Sequence, residues 1–467
     1  MSIFSTIKGW ITMLLRRKAK EEFNIEPISS GEMESWLNMC IEVYKGNPCW
    51  ISEENGIDTV NFAKSVCSEV ARLATLGIGI KVEGSSKAAW IQKEIEKIYY
   101  QLRDWVEYGC AYGTIILKPN DGSVELYTTS KFEVTSSTDG LIDGVVFQNQ
   151  KKVGDLWYTR LEYHRFVDDQ YVITNRCYVG GSQNDTKKAV DIKDTPWANL
   201  DEEAHIGNIR QPLFGVFRTP HANNIDLNSP LGLPVFSEAI QELRDLDIAY
   251  SRNSEEIDDS RRTVLLDSDS LIADGRKVGS TPAAWEAKRE QLKLPKMVKN
   301  VRGDGKEMFY QEINPDLNTD TRLKGINALL NQIAYKVGFS NGHFVFNEST
   351  GIQTATGVEA AQQRTIQLIK DVRDKLENCL DGVIYSLSVF AELYGLAPAG
   401  NYDAVFNFGD ITYSFEEDKL NWYKYAVAGK VPFWYYLVKF EGLTEEEAKS
   451  LEKEAKPKAP ALFGGKE

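Results

Sequence analysis

From Ala355 to Tyr394 the apolar residues Ile366, Ile369, Leu376, Leu380, Val383, Leu387 and Phe390 step by threes and fours. That spacing predicts one helix, on the order of 60 Å long at about 1.5 Å per residue. It is longer than a compact domain of this size needs. Two more long helices precede it. Val235 opens one that runs to about Arg262, with Phe236, Ile240, Leu243, Leu246, Tyr250 and Ile257 as its apolar line. Asp316 or Asn318 caps the other, which reaches Val337 with Leu317, Leu323, Ile326, Leu330, Ile333 and Val337 as its stripe.

Between these two helices lies a short, mixed segment, 268–312. From Arg276 to Lys306 it holds nine basic and three acidic residues. The local excess of positive charge, Lys288, Arg289, Lys293, Lys296 and Lys299 included, stands in a chain of net charge −14. A solvated surface with chance clustering explains it as well as an acidic partner does. After Val337 comes GFSNGHFVFNESTGIQT, a Gly/Ser/Asn loop over 338–354.

The rest of the chain reads as follows. Residues 30–45, 58–76 and 86–108 have helical spacing, and strands are expected at Leu76–Val82 and Thr114–Lys118. Over 121–217 the period changes to two, with Asp121-Gly122 and Asp139-Gly140 as turn pairs, which predicts a half-exposed meander of hairpins. Strands at Ala404–Phe408 and Ile411–Tyr413 lead to a helical tail, 415–455, in which Thr444-x-x-Glu447 has the form of a capping box. The end, KPKAPALFGGKE, is rich in Pro, Gly and Lys and is expected to fray.

At the start, Ile3, Ile7, Trp10, Ile11 and Leu14 suggest an amphipathic helix with a basic end. A disordered arm or a helix docked on a neighbour fits as well. The basic run follows the apolar stretch, so a signal peptide does not fit. No run reaches 18 apolar residues, so no transmembrane helix and no membrane partner is expected.

The chain has 467 residues, 42% apolar and 26% charged, enough for two to four domains. Its net negative charge excludes wrapping nucleic acid over the whole surface, because neutralising phosphate takes Lys and Arg. Six scattered Cys read as buried free thiols, although Cys40 and Cys49 could pair. The four His form no metal-binding spacing, and no phosphate-binding Gly loop or nucleophile elbow occurs. Asp168-Asp169 and Asp258-Asp259 read as solvated pairs, His164 as a surface or inter-strand histidine, and Cys110 as a small buried hydrophobe. No catalytic constellation, cofactor or metal is expected, and the chain is not expected to be an enzyme.

Three segments carry a resemblance: PLGLPVFSEAIQELRDLDIAYSRNSEEIDDSRRTVLLD (230–267), NESTGIQTATGVEAAQQRTIQLIKDVRDKLE (347–377) and WYKYAVAGKVPFWYYLVKFEGLTEEEAKSLEKE (422–454). In their order along the chain, over roughly 30–455, they resemble the portal (head–tail connector) proteins of tailed bacteriophages. The resemblance implies an α+β fold. Its parts are a hairpin-rich wing (30–234 and 356–413), stem helices (235–262 and 316–338), a small clip (263–315), a tunnel loop (339–355) and a helical crown (414–457). Residues 1–29 are an N-terminal arm without firm counterpart, and 458–467 a tail.

It implies a homo-oligomeric ring, usually of twelve subunits, at one capsid vertex. Double-stranded DNA would pass through without being read, during packaging and ejection. The implied partners are the major capsid protein and scaffold, the terminase large subunit at the clip, and later a head-completion adaptor. The implied location is the virion, with the host cytoplasm during assembly. On that mapping Asn341, His343, Asn347, Ser349 and Thr350 of the tunnel loop touch phosphate weakly. Glu238, Glu242, Asp245, Glu256 and Asp259 give the stem an acidic face that lets the duplex slide. The clip lysines and Arg289 meet terminase or adaptor. Another phage minor head or adaptor protein is the alternative reading, and an enzyme whose site is built from unremarkable residues is a third.

Overall fold

A computed structural model describes residues 15–51, 56–120, 122–183, 185–186, 188–259, 318–345, 355–409, 422–427, 430–441 and 443–455, with five strand segments between 263 and 313. It is an α+β protein of two units, Met1–Thr75 with Ile80–Phe406, and Leu76–Gly79 with Asn407–Glu467.

Helix α1 (15–23) lays Leu15 and Ala19 on Val146, Leu161, Tyr163 and Tyr178 of its own chain. Ile3, Ile7, Trp10, Ile11 and Leu14, on which the amphipathic N-terminal helix is expected, lie outside the described residues. Helix α2 (Gly31–Tyr44) starts at Ser30, whose hydroxyl accepts from Met33 N–H. Helix α3 (Phe62–Ala74) leads to strand β1 (Gly79–Glu83). The single helix expected over 86–108 is two, α4 (Ser86–Glu96) and α5 (Leu102–Tyr112), split by a 3₁₀ turn at Tyr99–Gln101. Ile95, Ile98, Leu102 and Trp105 keep their three-and-four spacing across that break, so periodicity alone does not show it.

Strands β2 (Thr114–Asn120) and β3 (Ser123–Thr128) form a hairpin. The meander follows: β4 (Phe132–Thr138), β5 (Leu141–Val153), β6 (Leu156–Val167), β7 (Gln170–Gly180), β8 (Lys188–Val190) and β9 (Glu203–Ile206). They pair antiparallel in the order β4-β5-β6-β7-β8, with β9 also on β7. Asp168 and Asp169 hold the β6–β7 turn at φ 46° and 62°, the left-handed conformation that tight hairpins need. Strand β10 (Gly215–Arg218) joins β2, giving a second sheet β10-β2-β3. Met33, Leu37, Ile116, Phe132, Val145, Phe147 and Phe214 form the core between helix α2 and the two sheets.

Helix α6 (Ile240–Asp259) follows a 3₁₀ turn, Ser237–Ala239. Strand β11 (Thr263–Asp267) opens the insert. Next come β12 (Ile272–Ala273), β13 (Arg276–Lys277), β14 (Met297–Val301) and β15 (Tyr310–Ile313). The central β11 pairs parallel with β14 and antiparallel with β15. Helix α7 (Thr319–Val337) brings the chain back. Asn318 stands at its cap position, but its side chain makes no capping bond.

Helix α8 (Ala355–Leu393) is 39 residues long. It crosses β10 at a close approach of two glycines: a Cβ on Gly382 would lie 2.9 Å from Gly215 Cα. Arg373 of α8 caps the C-terminus of α3, donating to the carbonyls of Ala74 (3.1 Å) and Leu73 (3.0 Å). Strand β16 (Asp403–Asn407) then pairs with β1.

In the second unit, helices α9 (422–427), α10 (Phe433–Glu441) and α11 (Glu445–Ala455) gather Ala426, Tyr436, Trp422, Phe433 and Leu437. The capping box forms there: Thr444 N–H donates to Glu447 (3.1 Å), and Glu447 N–H donates to Thr444 Oγ1 (3.4 Å). All six Cys are free, five buried and Cys49 exposed, so the expectation of burial fails at Cys49.

Candidate functional site

The two long helices around the insert lie side by side and antiparallel. Near the start of α6, Glu242 pairs with Lys336 (2.6 Å) and accepts from Gln332 (3.1 Å) near the end of α7. Near the end of α6, Glu256 pairs with Arg322 and accepts from Asn318 N–H at the start of α7. Lys336 also donates to the Glu238 carbonyl at 3.0 Å. Leu243 and Leu246 of α6 are buried, as are Ile326, Leu330, Ile333, Ala334 and Val337 of α7. Periodicity predicts this apolar seam, whereas the ionic locks come from Glu and Lys residues that a sequence assigns to solvent.

The five carboxylates expected on one acidic face are thereby separated. Glu242 is only 7% exposed and, with Glu256, serves the helix pair. Glu238 is exposed and Asp245 half-buried, the latter accepting from Gln241. The side chain of Asp259 lies outside the described residues. Arg244, Arg252 and Lys324 are exposed on the same two helices. Asp247 of α6 is buried as well. It is 4% exposed and ties α6 to the connection between α2 and α3 by accepting from Trp50 Nε1 (2.9 Å), Val60 N–H (2.9 Å) and Thr59 Oγ1 (3.2 Å). Exposed Tyr250 and Ile257 of α6 and Tyr335 of α7 are the apolar residues the pair leaves outside.

Helix α7 ends in a paired C-cap: Phe339 and Gly338 N–H groups donate to the carbonyls of Ala334 (2.8 Å) and Tyr335 (3.3 Å), with Gly338 at φ 106°. Beyond it the loop is pinned. Ser340 N–H donates to Thr365 Oγ1 (2.9 Å), and Gly342 N–H to Asn331 (2.8 Å). His343 stacks on Phe339 (4.5 Å between centroids) and bonds Glu69 through Nε2 at 3.2 Å. Burial pulls the imidazole below its usual range, against the pull of Glu69. Asn341 is exposed, but His343 has one nitrogen committed to α3. Gly338 and Gly342 therefore serve as fixed turn positions here. Asn347, Ser349, Thr350 and Gly351 lie outside the described residues, as do Lys288, Arg289, Lys293 and Lys296; Lys299 stands on β14, paired in register with Leu265.

A second polar assembly is hidden between the two large sheets. Glu162 of β6 receives Lys118 Nζ (2.6 Å), Arg160 (2.9 Å), Asn149 (3.1 Å) and His164 Nε2 (2.9 Å). His164 Nδ1 lies 2.8 Å from the Tyr171 hydroxyl, which accepts from Leu213 N–H. The tautomer follows. The hydroxyl has one proton to give, so it donates to Nδ1, and Nε2–H donates to Glu162. Burial alone would lift the Glu162 carboxyl, but Lys118, Arg160 and the His164 bond outweigh it and hold it well below the usual range. Burial lowers His164, which is therefore neutral. His164 is an inter-strand residue and not a surface one, at 1% exposure, and it presents no atom to a substrate. The missed signal is a two-residue repeat of charge, Arg160, Glu162 and His164, on the central strand of a sheet.

Among the described residues no helix is long and apolar enough to cross a membrane. No protein-family model matches the chain, and no curated protein matches it.

Proposed function

We propose that this chain is a subunit of the ring-shaped portal of a tailed bacteriophage, a non-enzymatic conduit for double-stranded DNA that also docks the packaging motor and later the head-completion adaptor. The observation that carries the reading is the antiparallel pair α6 and α7, locked at both ends by ion pairs and joined by the small sheet β14-β11-β15. A hairpin of rods with a compact tip suits a ring, in which each copy offers two different faces to its neighbours. Exposed Tyr250, Ile257 and Tyr335 supply contact area for such faces.

The surface of the pair mixes Glu238, Asp245, Glu255 and Asp320 with Arg244, Arg252 and Lys324. Such a wall gives DNA few net positive charges to grip, so the duplex slides without strong counterion release. The test is negative-stain microscopy with native mass spectrometry of the purified chain. Closed rings around a central hole support the reading. A monomer at all concentrations, or open filaments, would overturn it.

A further inference from the structure

A cleft of about 370 Å³ opens between β3 and β5, walled by Gln101, Trp105 and Trp197. Its sides are Val124–Tyr127 of β3 and Gln148–Lys151 of β5, four consecutive residues from each strand. A strand face would contribute alternate residues, so both strands show the cleft their edges. The registers agree. Among the described residues, strand β3 pairs only with β2. Strand β4 accompanies β5 only as far as the pair Phe132–Phe147, and the last contact is Gln148 N–H donating to the Lys131 carbonyl at 2.8 Å. From Asn149 to Val153, β5 has β6 on one side and, among the described residues, no strand on the other.

The backbone direction can be counted. Gln148 N–H points toward the β4 side, so by the two-residue repeat the N–H groups of Gln150 and Lys152 do too, while Asn149 and Lys151 face β6. The lane that β4 leaves at Lys131 is thus an open row of donors and acceptors, about 13 Å long for four residues. Its floor is stiff, because Asn149 and Tyr127 are bonded to each other and, through Asn149, to Glu162.

The charge of the lane is predominantly positive. Lys131, Lys151 and Lys152 are exposed along it, Lys151 lying over the Trp197 ring at 5.6 Å. Glu125, the carboxylate of the cleft wall, accepts from Asn120 (3.0 Å) and keeps its charge, so three cations stand against one anion. Lysines on an edge also discourage indiscriminate strand pairing, so the occupant must bring negative charge.

We propose that this cleft receives an extended acidic segment of a partner protein, which takes the lane vacated by β4 and adds a strand to β5. Main-chain hydrogen bonds to Gln150 and Lys152 supply the affinity, and the three lysines choose the partner.

The probes are two labelled octapeptides, alternating Glu-Val and alternating Lys-Val, titrated onto the full-length protein. Hydrogen exchange is resolved to single amides. The expected result is binding of the Glu-Val peptide only, with slowed exchange at Gln150 and Lys152 and little change at Asn149 and Lys151. Lys131→Glu with Lys151→Glu should weaken that peptide about tenfold or more and admit the Lys-Val one. Gln150→Pro, which deletes an edge donor, should weaken the Glu-Val peptide with the fold retained.

Absence of Glu-Val binding overturns the proposal. So does binding without protection at Gln150 and Lys152, or equal binding of both peptides. Protection of those amides that rises with protein concentration and needs no peptide also overturns it, since the occupant is then a second copy.

Discussion

Glu162 neutralises two cations that have no route to water: Lys118 and Arg160 are 2% and 1% exposed. Replacing it by Leu leaves both charges buried without a counter-ion, and the expected loss is about 3–5 kcal/mol. Urea unfolding followed by circular dichroism checks this, and a loss below about 1 kcal/mol would show that the cations find another partner. A different carboxyl, Glu133 on β4, has no such cation in contact, and burial pushes it up to about 7, offset in part by Arg16. Its folded form holds a proton that the unfolded form has lost, so its contribution falls as pH rises from the usual carboxylate range through 7. His164 has the opposite sign. Burial lowers it, so the unfolded chain takes up the proton first and stability falls as pH drops below the ordinary imidazole value. Glu133→Gln should therefore gain on the wild type between pH 5 and 8, by up to about 3 kcal/mol. Unfolding at pH 5, 6.5 and 8 measures it, and a constant difference would mean that Glu133 does not titrate in this window. The alternation of residues 156–167 is legible in the sequence, but the face that Arg160, Glu162 and His164 turn inward is not. Charged residues on a strand ordinarily face water, and their partner Lys118 lies 44 residues from Glu162.

Helices and strands are legible where one face is apolar, and the long runs of α7 and α8 follow from their stripes. Glycines inside helices say the reverse of what they do here. Gly382 lowers the helix propensity of α8, yet it lets that helix lie against Gly215 of β10. A methyl group there meets the strand backbone, which cannot turn away as a side chain could. Gly382→Ala is thus expected to cost about 1–3 kcal/mol, although the same change in a free helix stabilises. Thermal unfolding decides the sign: a raised midpoint would mean that α8 and β10 are not packed this closely. The pairing of α6 with α7 is only half legible. Its apolar seam is periodic, but Glu242–Lys336 and Glu256–Arg322 join residues 94 and 66 apart in the sequence, and no local pattern selects those partners from the other charges.

The ring reading turns on what DNA would meet. Two of the five stem carboxylates, Glu242 and Glu256, are spent holding α6 to α7. That leaves Glu238, Asp245, Glu255 and Asp320 to offset Arg244, Arg252 and Lys324 on the described surface. The balance is close, so a small change of charge should be felt. Glu238→Lys with Asp245→Lys adds two cations without touching either ion-pair lock. If this surface lines the channel, the assembled variant should bind a 30-base-pair duplex more tightly than the wild type at about 50 mM salt. Each added phosphate contact steepens the fall of log affinity with log salt by about 0.9, so two contacts steepen it by nearly two. Fluorescence anisotropy across about 50–200 mM salt reads that slope directly. Unchanged affinity and slope would place Glu238 and Asp245 away from DNA, and the sliding surface would then have to be sought on other elements.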